Sequence, residues 1–285
     1  MVAQAYELVL TRTNMLKENM DEYKQSNRTL WNNWAAIHEQ SKFYDVEGFK
    51  AGRSSLKAIE REELGDVSGK SLLHLQCHFG MDTLSWARLG AQVTGVDFSD
   101  QAIGLAQGLS QDLGIPAQFV CSDLYALPDV LSGHFDIVFT SYGVLYWLPD
   151  LRRWGEIIAH FLKPGGTFYI VEYHPFANVF ENSGVADLQV TYPYFAGPEP
   201  LRFDTHGSYA EPTANYHFVE YGWDHPLSEI VNSLLAAGLR LEYLHEFPFT
   251  FEQRFPFMEQ GADGRWRLSK YHNAIPLLFS LKATR

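Results

Sequence analysis

Residues 71–97, SLLHLQCHFGMDTLSWARLGAQVTGVD, decide the fold. A short apolar run, SLLHLQ (71–76), ends at a turn, CHFG. A helical stretch, MDTLSWARLG, follows and is closed by Gly90. A second apolar run, QVTGV (92–96), ends at Asp97. Short apolar runs separated by a helical stretch indicate a strand–helix–strand unit. Strands that are continuously apolar are buried on both faces, as in parallel sheets.

The pattern continues outward. DQAIGLAQGLSQDLG (100–114) places Ala102, Leu105, Ala106, Leu109 and Leu113 on one helical face. AQFVC (117–121), FDIVFT (135–140) and TFYIVEY (167–173) are predicted strands. Residues 147–162 are a predicted helix, stopped by Lys163-Pro164-Gly165-Gly166. Near the end, PLSEIVNSLLAAGLR predicts a helix, and RLEYLHEF and IPLLFSLKA predict the closing strands. Right-handed crossovers then give an α/β fold, a doubly wound, mostly parallel seven-stranded sheet of Rossmann type.

Four regions follow. Residues 1–66 form a helical cover, in which Leu30, Trp31, Trp34 and Ile37 or His38 recur at helical spacing. Ser54 and Ser55 precede Leu56, Ile59 and Leu64, and Gly65 follows, which predicts a short capped helix. Residues 67–173 form the ligand-binding half of the sheet. Residues 174–225 are an aromatic, proline-bearing insertion, with LQVTYPYF and NYHFVEY as possible strands. An irregular stretch this long inside a compact domain is usually a lid. Residues 226–285 complete the sheet.

Composition excludes several classes. With 46% hydrophobic residues the 285-residue chain is not disordered. Its net charge of −12 disfavours a nucleic-acid partner. No apolar run reaches the length of a membrane span, and the N-terminus lacks the pattern of a signal peptide. Two cysteines, Cys77 and Cys121, do not make a disulfide scaffold. A cytoplasmic protein without a membrane partner is the expectation. Eleven histidines are present, none in a close metal-ligand spacing, so no metal is expected.

Ligands of open α/β sheets bind beyond the carboxyl ends of the strands. Asp97 ends the second strand, about 20 residues past the first turn, where a carboxylate suits a ribose diol. Asp123 ends the third, where it can accept from an adenine amino group. Either alone is equally a turn or helix cap. In series they point to an adenosine-containing ligand. The first turn, Gln76-Cys77-His78-Phe79-Gly80, has one glycine only, and no G-x-x-x-x-G-K-[ST] exists. A pyrophosphate cradle is therefore unsupported.

These motifs, with CSDLYALP, FDIVFTSYGVLYWLPDLRRW and LKPGGTFYIVEYHP in order, resemble a class I S-adenosylmethionine-dependent methyltransferase. The likeness is strong over residues 68–175. It is closest to a bacterial subgroup with LQCHFG as its first turn. The family pattern there is an acidic residue followed by G-x-G-x-G; this chain has His74, Gln76 and His78, and keeps Gly80. The resemblance implies that Asp97 binds the ribose and Phe98 packs on the adenine. It implies that Asp123 and Leu124 hold the adenine edge, and that Gln76, Cys77, His78 and Gly80 line the methionine side. Ser141 and Tyr142 then lie near the reacting methyl. The subgroup's N-terminal pattern is matched by Asn27, Arg28, Trp31, His38, Ser41, Phe43, Tyr44 and Asp45. Trp31, His38 and Tyr44 are thereby cofactor contacts; core packing explains Trp34 equally well.

Methyl transfer needs no protein nucleophile, only positioning and a dry site. A general base is needed when the acceptor arrives protonated. His174 and Glu172 are candidate bases and Tyr142 a candidate orienting group; His174 also fits a loop cap, and strand alternation bears on where Glu172 points. Tyr146, Trp147, Tyr221 and Trp223 are candidate walls for a small-molecule acceptor, flat and aromatic or cationic. The product would be S-adenosylhomocysteine. Two other classes stay open: a nucleotide-dependent oxidoreductase, disfavoured by the missing glycines, and a non-catalytic sensor of the cofactor.

Overall fold

The computed structural model describes residues 2–195, 197 and 199–285, with side chains of the first helix from residue 19 onward. Along the chain come α1 (Val2–Gln40), α2 (Val46–Lys50), α3 (Ala58–Leu64), β1 (Ser71–Leu75), α4 (Met81–Arg88) and β2 (Gln92–Asp97). Then follow α5 (Asp100–Leu113), β3 (Gln118–Cys121), α6 (Leu127–Val130), β4 (Phe135–Ser141), α7 (Leu151–Phe161) and β5 (Leu162–Tyr173). The chain continues through β6 (Leu201–His206), β7 (His217–Gly222), α8 (Leu227–Ala236), β8 (Arg240–Phe247) and β9 (Phe249–Thr250). It ends with β10 (Glu259–Gln260), β11 (Trp266–Arg267) and β12 (Leu278–Thr284).

The main sheet has seven strands in the order β3-β2-β1-β4-β5-β12-β8. The first five are parallel, and β12 runs antiparallel to both its neighbours. Alternation along β1 explains the two layers. Leu73 and Leu75 face the side where Trp154, Ile157, Ile158 and Phe161 of α7 and Leu234 of α8 pack. Leu72 faces the other side, against Ile59, Leu64 and Trp86. Each such side chain contributes about 1.5–3 kcal/mol on burial. The exposed ion pairs, at about 0–1 kcal/mol each, are minor beside that.

Four local expectations change. Helix α3 begins at Ala58 behind Lys57, so Ser54 and Ser55 do not cap it, and Ser55 Oγ donates to Asp82 instead. The predicted helix over 147–162 begins at Leu151, because Pro149 interrupts it and the Asp150 side chain caps the Arg153 N–H. The Lys163-Pro164-Gly165-Gly166 stop lies inside β5: Gly165 N–H donates to Arg285 O and Arg285 N–H to Gly166 O, both at 3.0 Å. Residues 188–195 form no strand beyond a single bridge from Val190 to Phe180. NYHFVEY does supply β7, which pairs with β6 as a hairpin outside the main sheet.

The insertion divides between two supports. Its start, Ala177 to Phe180, packs with Phe255, Met258, Leu268 and Leu277 beside the small β9–β11 sheet. Its hairpin instead lies on α1, where Ser26 Oγ donates to Val219 O at 2.7 Å. A cavity of about 270 Å³ lined by Lys70, Asp136, Lys163 and Gly165 opens at the amino edge of the sheet. It is remote from the strand ends considered below. Among the described residues no helix is long and apolar enough to cross a membrane.

Candidate functional site

The carboxyl ends of β1 and β2 are tied together by Asp97. This carboxylate is 7% exposed. Its Oδ2 accepts from the His78 N–H at 2.8 Å and its Oδ1 from the Ser99 N–H at 2.9 Å. Burial pushes its pKa up to about 6, against the pull of those N–H groups. The β1 turn is bent to reach it: Gln76 and His78 stand at φ 55° and 52°, in the left-handed region. Each such residue stores roughly 1–3 kcal/mol of strain. Gly80 is required at φ 80°, because a Cβ there would meet Phe119 at 2.8 Å and Ala106 at 2.9 Å.

The remaining turn residues divide by direction. Cys77 is buried in the core beneath the turn with Phe79 and Phe119, so its backbone, not its thiol, faces the strand ends. Gln76 Nε2 donates to Val144 O at 3.0 Å and links the β1 turn to the β4 loop. Phe98 is half-buried after β2. Asp123 caps the Tyr125 N–H at 2.8 Å and pairs with Lys24 of α1 at 3.2 Å, and Leu124 is buried beside it.

An aromatic cover closes over this edge. Trp31 lies 5.2 Å from His78 and 5.3 Å from Trp147, ring centre to ring centre. His38 stacks on Tyr44 at 5.1 Å and lies 4.6 Å from Tyr209. Tyr44 and Tyr209 share a hydroxyl hydrogen bond, and Trp34 Nε1 donates to Gly207 O at 2.9 Å. Helix α1, the β1 turn, the β4 loop and the insertion therefore meet in one place. His38 Nδ1 and His78 Nε2 are 2.9 Å apart. Burial lowers the pKa of His38 to about 3 and, with His38 beside it, holds that of His78 well below the usual imidazole value, so both rings are neutral. His38 Nε2, His78 Nδ1 and Gln76 Oε1 are buried without a partner among the described residues. Buried polar atoms are normally bonded, so these three mark a place for a ligand or water.

The candidate catalytic groups have other occupations. Glu172 accepts from the N–H groups of Gly143, Val144 (2.7 Å) and Leu145 (3.2 Å), and so shapes the β4 loop. Tyr142 O–H donates to Glu60 at 3.0 Å, towards α3. His174 caps the Phe176 N–H at 3.1 Å and its Nε2 bonds Glu246 at 2.8 Å. All three sit at strand ends, held by structural partners. Among the candidate walls, Tyr146 packs against Gly222, Trp147 joins the cover, and Trp223 N–H donates to Tyr146 O at 2.8 Å. Tyr221 stacks on Tyr23 at 4.4 Å instead.

Residues 73–170 match the family model described as "Methyltransferase domain". This stretch is a class I S-adenosylmethionine-dependent methyltransferase domain. The chain is 33% identical over 134 residues to a "Ubiquinone biosynthesis O-methyltransferase" of Idiomarina loihiensis, covering 45% of this chain and 54% of that protein. A protein of the same name from Bordetella pertussis is 26% identical, covering 65% of this chain and 77% of its own. The chain spans about half the length of most curated relatives it matches. In structure it is similar to an S-adenosylmethionine-dependent methyltransferase from Mesorhizobium loti, with TM-score 0.55 and 22% identity, covering 83% of this chain and 100% of that one. One from Clostridium acetobutylicum has TM-score 0.56 and 13% identity, covering 90% and 98%.

Sequence reasoning missed Tyr209, the Gly207 carbonyl and Asn32. Asn32 Oδ1 accepts from Ser99 Oγ at 2.6 Å, beside Asp97. Tyr209 lies in irregular chain with no periodicity to mark it. The excess of aromatics outside the core elements was the available signal.

Proposed function

We propose that the protein transfers a methyl group from S-adenosylmethionine to a small-molecule acceptor at the carboxyl edge of the sheet, beneath the aromatic cover. The observation that carries this is Asp97: a carboxylate at the end of β2, braced by the N–H groups of His78 and Ser99, beside a turn with unpartnered buried polar atoms. A braced carboxylate suits the two hydroxyls of a ribose. His38 Nε2, His78 Nδ1 and Gln76 Oε1 supply hydrogen-bonding capacity beside it.

When bound, S-adenosylmethionine would supply a sulfonium-borne methyl for in-line transfer to the acceptor, with S-adenosylhomocysteine as the leaving thioether. The residues contribute a site that is neutral and dry. The two histidines are uncharged, and Trp31, Trp34, Tyr44, Trp147 and Tyr209 exclude water. Dispersal of a positive charge is favoured by such surroundings over a polar, wet site. Glu172, Tyr142 and His174 act as positioning groups: Glu172 fixes the β4 loop that carries Tyr146 and Trp147.

The relatives are named for methylation of oxygen. Together with the aromatic walls, that favours a flat hydroxylated acceptor here. The insertion hairpin, docked on α1 rather than on the sheet, is the part that opens for it.

Calorimetric titration with S-adenosylmethionine, with NAD as control, tests the reading. Binding that Asp97→Ala abolishes supports it. Binding of NAD instead would sink it in favour of an oxidoreductase.

A further inference from the structure

The first turn of α4 carries a carboxylate that is not committed to any fixed charge. Asp82 lies two residues beyond Gly80. Among the described residues its side chain is bonded only to hydroxyls: Ser55 Oγ donates to Oδ1 at 2.5 Å and Ser141 Oγ to Oδ2 at 3.3 Å. Ser141 is the last residue of β4, and β4 adjoins β1 in the sheet. Asp82 thus stands at the notch between the ends of β1 and β4.

The other carboxylates around this edge are engaged. Asp97 and Glu172 hold backbone N–H groups. Glu60 accepts from the Lys57 N–H at 2.6 Å and from Tyr142. Asp100 takes Arg28 at 3.2 Å and Asn32 at 2.9 Å, and Asp123 takes Lys24. Hydroxyl donors, by contrast, rotate away at little cost. His74, on β1, carries no charge to compensate: it is buried and bonded to Thr83 Oγ1 at 2.8 Å.

A second observation points to the same notch. Gln76 Oε1 is a buried acceptor with no partner among the described residues, while its Nε2 is fixed on Val144 O, three residues past Ser141. An acceptor left bare at such a place calls for a donor. S-adenosylmethionine ends in an amino acid, whose ammonium group has three donors and a positive charge. Burying that charge without a carboxylate is costly.

We propose that Asp82, assisted by Gln76 Oε1, binds the ammonium group at the amino-acid end of S-adenosylmethionine, with the Ser55 and Ser141 hydroxyls free to turn aside as it does so. This rests on the cofactor reading above and assigns one group of that ligand to one side chain.

The test compares two ligands that share the adenosine thioether. S-adenosylhomocysteine keeps the ammonium; 5′-methylthioadenosine lacks the amino-acid end. Both are titrated calorimetrically into wild type and Asp82→Asn, with a thermal melt of each. The expected result is a loss of about tenfold or more for S-adenosylhomocysteine in the variant, with 5′-methylthioadenosine unchanged. Equal weakening of both ligands would show that Asp82 only starts α4, and no weakening of either would remove it from the site; both overturn the assignment. If wild type binds neither ligand, the cofactor reading falls and the assignment with it. Should Asp82→Asn not fold, Asp82→Ser keeps a residue favoured at helix starts and gives the same readout.

Discussion

Asn27 and Tyr221, 194 positions apart, are joined by both ends of one amide: Asn27 Nδ2 donates to Tyr221 O at 2.7 Å, and Tyr221 N–H donates to Asn27 Oδ1 at 2.9 Å. The side chain completes the hydrogen bonding of β7 as a neighbouring strand would. Asn27 is 2% exposed, so water cannot replace it. This pair makes α1 and the insertion hairpin one cover.

Asn27→Ala therefore orphans a buried N–H and a buried C=O. The expected loss is about 1–3 kcal/mol, confined to the docking of the cover. Hydrogen exchange should speed in β6, β7 and around Asn27 in α1, while β1, β4 and β5 stay protected. Uniform acceleration across the sheet would contradict this.

Gly222 lets the hairpin approach the β4 loop. A Cβ there would lie 1.7 Å from the Tyr146 ring. Gly222→Ala must push Tyr146 aside, at roughly 1–3 kcal/mol. Limited proteolysis should cut the 201–222 region faster in this variant, and acceptor turnover should fall more than cofactor affinity. Unchanged proteolysis would mean that the hairpin is held elsewhere.

Asp97 gives a pH signature. Its carboxyl sits at about 6 because burial disfavours its charge, and ribose hydroxyls need the ionised form as acceptor. Cofactor affinity should be flat above about pH 6 and weaken below it, by up to about tenfold per unit. Asp97→Asn should weaken binding at every pH and flatten the profile. Calorimetry from pH 5 to 8 checks both.

Three histidines, His38 and His74 buried and His78 half-buried, predict that stability also falls towards acid pH. His38 is lowered to about 3, His74 to about 4, and His78 well below the usual value. The unfolded chain takes up protons on these rings below about 6.5, and the folded chain does not. Their contribution is complete above about pH 6.5 and is lost as pH falls below it. Asp97 and Glu60, raised to about 6 and about 7, act against this trend, because their folded forms hold protons longer. His38→Phe should therefore make the acid loss of stability shallower by close to one proton. Urea titrations between pH 5 and 7.5 give the slope; no change would show that His38 is hydrated and titrates freely.

How much of the site was legible depended on whether its residues follow a strand. Asp97, Asp123, Ser141 and the β1 turn were readable because a parallel strand delivers its last residue to one edge of the sheet. Gly80 was readable for a similar local reason, since a lone glycine there marks a backbone that a Cβ would obstruct. Tyr209 and Gly207 were not, because nothing local in residues 201–222 says that they fold back onto α1. The occupations of Glu172, Tyr142 and His174 were likewise hidden. Each sits at a strand end, but its hydrogen-bond partner comes from a loop or helix remote in the chain or from the bend of the next turn.

The sequence by itself determined the strand–helix alternation, the parallel sheet, and which residues stand at its carboxyl edge. Apolar periodicity and turn chemistry act over a few residues, so those features are written locally. The tertiary structure alone decided that the insertion is shared between α1 and the C-terminal strands. It alone made two histidines 40 positions apart into a neutral pair, and left Asp82 facing only hydroxyls among the described residues. Those outcomes depend on which buried polar groups meet and which charges lose their water, and only the packed chain brings them together.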